Sequence, residues 1–98
     1  MNRIVLQLWE ESEKGWGVRP DGCSIHIDNI SRDNYVNSIY KDRSDVVPDS
    51  YDRVIGDPIE AFIGDLLYKT LEMESSIRLM EHEFNNLVNL EDIIIKEC

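Results

Sequence analysis

The chain has 98 residues, with 20 Asp and Glu against 10 Lys and Arg, a formal net charge of -10 and a hydrophobic fraction of 42 %. That length supports one modest core and excludes a two-domain enzyme, and the apolar content exceeds that of a wholly disordered acidic chain. The ten basic residues are scattered singly among acids, so no cation cluster is present to release counterions from a nucleic-acid backbone, and direct nucleic-acid binding is not expected.

From Arg3 to Trp9 the side chains alternate, with Ile4, Leu6 and Leu8 on one face and Val5, Gln7 and Trp9 on the other, which predicts a strand. Glu10 to Gly15 is polar and reads as a turn. Gly15 to Arg19 can return as a second strand, and Pro20-Asp21-Gly22 supplies turn chemistry before a third at Cys23 to Asp28. The economical arrangement is a small antiparallel meander. Gln7 and Glu10-Glu11 interrupt the first apolar run, which is too short for a secretory signal, and no run approaches the roughly 18 apolar residues that cross a bilayer. A cytoplasmic location without membrane attachment is therefore expected. Cys23 and Cys98 then read as reduced thiols, and the absence of CxxC or paired His/Cys spacing points to no metal and no cofactor.

Ser31 can cap a helix by accepting the Asn34 N–H, with Asp33 near the positive dipole end and Ile30 stapled onto Tyr35. Tyr35 with Ile39 and Val36 with Tyr40 form i,i+4 pairs, so the spacing predicts an amphipathic helix from Ser31 to about Arg43. Ser44 to Tyr51, containing Val47-Pro48, reads as a loop. Gly56-Asp57-Pro58 punctuates again, and Ile59, Ala61 and Ile63 alternate as a short strand. From Asp65 the period lengthens. Leu67, Leu71, Glu74 (or Met73 in its place), Ile77, Met80, Phe84 and Leu87 recur at helical spacings, as one long helix or as two with a break at Ser75-Ser76. Ile93-Ile94-Ile95 fits either a helix end or a final strand. The expected fold is a single α+β domain over residues 1–98. It has a small antiparallel sheet from residues 3–28 and about 58–63, one packed helix at 31–43 and a C-terminal helical segment. The apolar seam of that segment exceeds what one small sheet must cover, which suggests a homodimer through residues 65–95.

Charge divides unevenly. Residues 1–43 hold 7 acids and 6 bases, whereas 44–98 hold 13 acids and 4 bases. A solvated outer face explains this adequately. The sharper reading is a partner-binding surface formed by Asp45, Asp49, Asp52, Asp57, Glu72, Glu74, Glu81 and Glu83, whose potential complements a basic groove. Glu74 and Glu81 are seven apart and share a stripe if the helix is continuous.

The stretch from Leu8 to Gly22 holds two tryptophans, three glycines and a Pro-Asp-Gly turn. Trp9 and Trp16 packing across a hairpin is the plainer account. The alternative makes Trp16 and Arg19 a ligand-binding or hot-spot pair, since glycine on both sides of Trp16 permits close approach. For catalysis, His26 and Asp28 share the polar face of a strand, where an ordinary exposed histidine is the simpler expectation. Gly15-Trp16-Gly17 lacks the third glycine and following helix of a phosphate loop. Cys23 reads as packing and His82 as a solvated helix residue, so no catalytic residue is assigned.

Residues 4–28, with their Trp-Glu-Glu-Ser and Gly-Trp-Gly-x-Arg-Pro-Asp-Gly elements, resemble a group of small bacteriophage accessory proteins that begin with an apolar strand. The likeness extends to Val47-Pro48-Asp49-x-Tyr51. The resemblance carries no activity or site residue. It implies only a context, in which such proteins are commonly inhibitors or decoys acting on host machinery and its antiviral defences. The leading expectation is thus a non-enzymatic inhibitor in the host cytoplasm that binds a host defence protein through its acidic half. The alternative is a binder that sequesters a nucleotide immune signal at Trp16 and Arg19, as an oligomer.

Overall fold

The structure is a computed structural model and describes residues 1–41 and 50–95. The expected helix end at Arg43, the Val46 to Asp49 loop, the candidates Asp45 and Asp49, and Cys98 lie outside the described residues.

The elements run β1 (Asn2–Glu13), β2 (Gly17–His26), α1 (Asn29–Lys41), β3 (Ser50–Ile63), α2 (Asp65–Glu74), β4 (Ser76–Leu79), α3 (Glu81–Asn89) and β5 (Ile93–Ile95). The strands form one antiparallel sheet in the order β4-β2-β1-β3-β5. The fold is therefore α+β.

Alternation along β1 and β2 assigns the two faces. Ile4, Leu6, Cys23 and Ile25 point to one side with Ala61, Ile63, Leu79 and Ile93, where Leu71 of α2 and Phe84 of α3 complete the core. Gln7, Trp9, Ser24 and His26 point to the other side and are equally buried, because α1 covers them. Val36 is buried on α1, and Tyr35 and Tyr40 meet the Trp9 ring edge-on at centroid separations of 6.1 and 6.4 Å. Such arrangements align ring edges with the electron-rich face.

The expected meander is instead a single long hairpin. β1 continues through Glu10 to Glu13, and the turn is confined to Lys14-Gly15-Trp16. Pro20-Asp21-Gly22 is absorbed within β2 as a bulge. Leu8 faces Cys23 and Glu10 faces Pro20, so Trp9 opposes both Asp21 and Gly22. Gly22 takes φ +76, a conformation that side chains with a Cβ rarely adopt. β3 likewise absorbs Gly56-Asp57-Pro58, since Leu6 faces Ile59 and Leu8 faces Ile55. The unpaired carbonyls find a donor in Gln7, whose Nε2 donates to the Ile55 and Gly56 carbonyls at 3.2 and 3.1 Å. Ser50 and Tyr51, the end of the expected loop, belong to β3, and so does the Gly56-Asp57-Pro58 punctuation.

Two helix starts also differ from expectation. Asp28 Oδ1 accepts the Ser31 N–H at 2.8 Å, so Asp28 rather than Ser31 caps α1. Ile30 is 73 % exposed and forms no staple. The break at Ser75 is present, with φ 69, but the residues beyond it form β4, pairing Ile25 with Ile77 and Cys23 with Leu79. Glu74 and Glu81 consequently sit on different helices. Ile93–Ile95 is a strand, pairing with Ala61–Ile63 of β3. No helix among the described residues is long and apolar enough to cross a membrane.

Candidate functional site

The α2 and α3 layer presents the acids. Glu72 and Glu74 are exposed on α2 and, among the described residues, cap no backbone group. Glu81 and Glu83 open α3, and Glu83 caps it. Glu83 Oε1 accepts the Met80 N–H at 3.2 Å, and Glu81 Oε2 accepts the Gly22 N–H at 2.7 Å. The second bond fastens α3 to the β2 bulge. Carboxylates also favour the positive end of a helix dipole. Asp57 is exposed in the β3 irregularity, on the sheet rather than the helices.

Asp52 belongs to a different assembly, on the α1 side of the sheet. Arg78 of β4 donates from Nη2 to Asp21 Oδ2 at 3.0 Å and from Nη1 to Asp52 Oδ2 at 3.3 Å. A second bond from Nη2 reaches the Asp21 carbonyl at 2.7 Å. Its guanidinium carbon is 4.8 Å from the Trp9 ring centroid, a cation-π arrangement. Glu11, Asp21 and Asp52 bring their carboxylates within 4.8 Å of one another. Arg78 supplies the positive charge that a metal ion would otherwise bring to two of them. Burial, helped by a hydrogen bond with Asp21, raises the Asp52 carboxyl to about 6.

Beneath α1 runs a hydrogen-bonded chain. Trp9 Nε1 donates to Ser24 Oγ at 2.8 Å, Ser24 Oγ meets His26 Nε2 at 2.7 Å, and His26 Nδ1 meets Ser76 Oγ at 2.7 Å. Ser76 Oγ donates to the Ser31 carbonyl at 3.3 Å. Each hydroxyl has one proton, so these directions assign neutral His26 with its proton on Nδ1. Burial, and then the positive charge of Arg32, lower its pKa to about 4. The exposed histidine expected on a polar strand face is therefore wrong, because α1 turns that face into interior. With both nitrogens engaged and no surface exposed, His26 offers no base to an incoming substrate, and Asp28 is occupied at the α1 cap. Cys23 lies in the opposite core, where burial pushes its thiol up to about 12, as expected of a packing residue.

The hairpin separates the two tryptophans. Trp9 is fully buried, whereas Trp16 at the tip is 86 % exposed. A shallow depression of about 240 Å³ lies among Glu13, Trp16, Gly17, Val18 and Arg19. Arg19 Nη2 is 3.1 Å from both Glu11 and Glu13. A phosphate at this position must displace two carboxylates.

The structure therefore brings Glu72, Glu74, Glu81 and Glu83 into one helical layer, joins Trp16 and Arg19 at the hairpin tip, places Asp52 in the Arg78 cluster that meets Arg19 through Glu11, and leaves Asp57 apart from both groups. Sequence reasoning missed the Arg78 cluster, whose members come from four strands, and the exposed Leu66, Met73 and Leu90 interspersed with the helical acids. Only the unusual count of apolar residues after Asp65 signalled the latter. Compared with protein-family models, curated proteins and solved structures, the chain matches none.

Proposed function

We propose that this chain is a non-enzymatic inhibitor of phage type that binds a host antiviral defence protein in the host cytoplasm through the acidic surface of α2 and α3. One observation carries the reading. In the segment from Asp65 to Asp92 the helices and their flanking turns hold seven acids, while Arg78 faces the other side of the sheet and Lys69 is the one remaining Lys or Arg. Glu72, Glu74, Glu91 and Asp92 are exposed there beside large apolar side chains. Acids that merely solubilise a fold need no apolar neighbours, whereas interfaces combine a charged rim with apolar anchors. The phage-type context rests on the resemblance of residues 4–28.

The test is inhibition of the isolated defence protein by the chain carrying Glu72→Lys and Glu74→Lys. Both positions are exposed and cap nothing, so the fold is retained. Loss of inhibition, with salt sensitivity of the native complex, supports the reading; full inhibition by the variant defeats it. The nucleotide-sequestering reading is tested by thermal shift with linear and cyclic nucleotides, where binding raises stability with ligand concentration.

A further inference from the structure

The turn after α3 folds back against the start of α2. Gly64 N–H donates to the Asp92 carbonyl at 3.2 Å, and Asp92 N–H donates to the Leu87 carbonyl at 2.9 Å. The amino end of α2 and the carboxyl end of α3 are thereby tied side by side. Between them lies a groove of about 490 Å³ lined by Asp65, Leu66, Leu67, Thr70, Leu87 and Asp92.

The groove is apolar within and anionic at its edges. Leu67 and Leu87 are half-buried and pack on the core, while Leu66 is 84 % exposed. Asp65 and Asp92 are exposed at the lining, and among the described residues Asp65 meets the neutral Asn2 amide, at 2.8 Å. The last turn of α3 contains no basic residue, so no cation on that turn offsets the acids at the groove's edge. Leu90, at the cap of that same end, is 71 % exposed.

We infer that this groove receives an amphipathic helix of the partner protein, with leucine-type side chains on one face and Lys or Arg along its margins. The inference rests on the acidic-surface reading and gives the binding mode on that surface. Helix-in-groove recognition needs apolar anchors at helical spacing on the incoming segment. The rim selects among apolar faces. Cationic margins gain from Asp65, Asp92 and the adjacent Glu91, whereas a second copy of this chain brings its own net charge of -10 against them.

The experiment measures fluorescence polarisation of a labelled synthetic helix of about 15 leucines and lysines in amphipathic order, titrated with the full chain. A scrambled peptide of the same composition and a leucine-glutamate amphipathic helix are titrated alongside. The ordered cationic helix is expected to bind about tenfold tighter than the scrambled one, and Leu66→Ser with Leu90→Ser to weaken it about tenfold. The glutamate helix is expected not to bind. Equal affinity for ordered and scrambled cationic peptides, unchanged in the Leu66→Ser, Leu90→Ser variant, overturns the groove and leaves the acidic-surface reading standing. No binding of either cationic peptide at low salt overturns both. A dimer by light scattering that Leu66→Ser dissociates puts a second copy in the groove and overturns the choice of occupant.

Discussion

Arg78 brings its guanidinium carbon to 4.8 Å from the Trp9 ring centroid while its Nη atoms hold Asp21 and Asp52. One side chain from the short edge strand β4 thus links the aromatic packing under α1 to carboxylates of two longer strands, β2 and β3.

Removing that cation leaves the Asp21 and Asp52 carboxylates without it. Arg78→Met, which keeps the length of the stem, is expected to lower unfolding free energy by about 3 kcal/mol, as when one partner of a largely buried pair is lost. Urea denaturation followed by circular dichroism measures it. A change under about 0.5 kcal/mol would show that the cluster is solvent-screened.

Two groups oppose each other in the pH dependence of stability. Neutral His26, lowered to about 4 in the fold, binds no proton between that value and the unfolded value near 6.5, while the unfolded chain does; stability falls as pH drops through this window. Asp52, raised to about 6, keeps a proton in the fold that the unfolded chain has released; its contribution is present below about pH 4 and lost as pH rises to about 6. The two slopes cancel between about pH 4 and 6. Asp52→Asn removes one of them, and stability is then expected to rise across that range at up to about 1.4 kcal/mol per pH unit. A flat profile in the variant contradicts the His26 assignment.

Gly22 and Gly15 separate steric from conformational cost. Both have positive φ, but a Cβ at Gly22 meets the Leu79 carbonyl oxygen at 2.0 Å, while nothing lies within 4 Å at Gly15. Gly15→Ala is expected to cost about 1 kcal/mol through its backbone alone. Gly22→Ala must also push β4 and the start of α3 away, adding about 2 kcal/mol and exposing the amides of Cys23 and Ile25 to hydrogen exchange. Equal losses for the two variants would refute the close packing at the bulge.

The tryptophans should behave as opposites. Trp9→Ala removes a fully buried ring and is expected to cost about 3–5 kcal/mol, whereas Trp16→Ala should change stability by under about 0.5 kcal/mol. Acrylamide quenching of the native chain reports the same division, with one accessible and one protected indole. Strong quenching of both would show that α1 does not cover Trp9.

Local patterning made part of this legible. The alternation of Ile4, Leu6 and Leu8, the helical spacing of Leu67 and Leu71, and Ser75 as a break are all short-range signals, and each element stands where its pattern indicates. Tyr35, Val36, Ile39 and Tyr40 likewise mark the inward side of α1. β4 was illegible because Ile77 and Leu79 also fit a helical seam; its four residues become strand through pairing with β2, a partner some fifty residues earlier. Gly56-Asp57-Pro58 carries every local sign of a chain break, yet β3 continues through it because Gln7 satisfies the freed carbonyls and Arg32 holds Gln7 Oε1 at 3.0 and 2.6 Å.

The acidic character of the chain and its concentration after residue 44 follow from the order of residues alone, as does the excess of apolar side chains in the same region. Which acids are free to meet a partner is a tertiary matter. Asp52 is engaged by Arg78, Glu81 is spent on the Gly22 N–H of the β2 bulge and Glu83 on the Met80 N–H at the start of α3, and Glu72, Glu74 and Asp57 face water. Periodicity reports which side of an element is apolar. What that side meets, and which carboxylates find donors, depends on pairings between distant strands, because hydrogen bonds and ion pairs form by distance in space and not by separation along the chain.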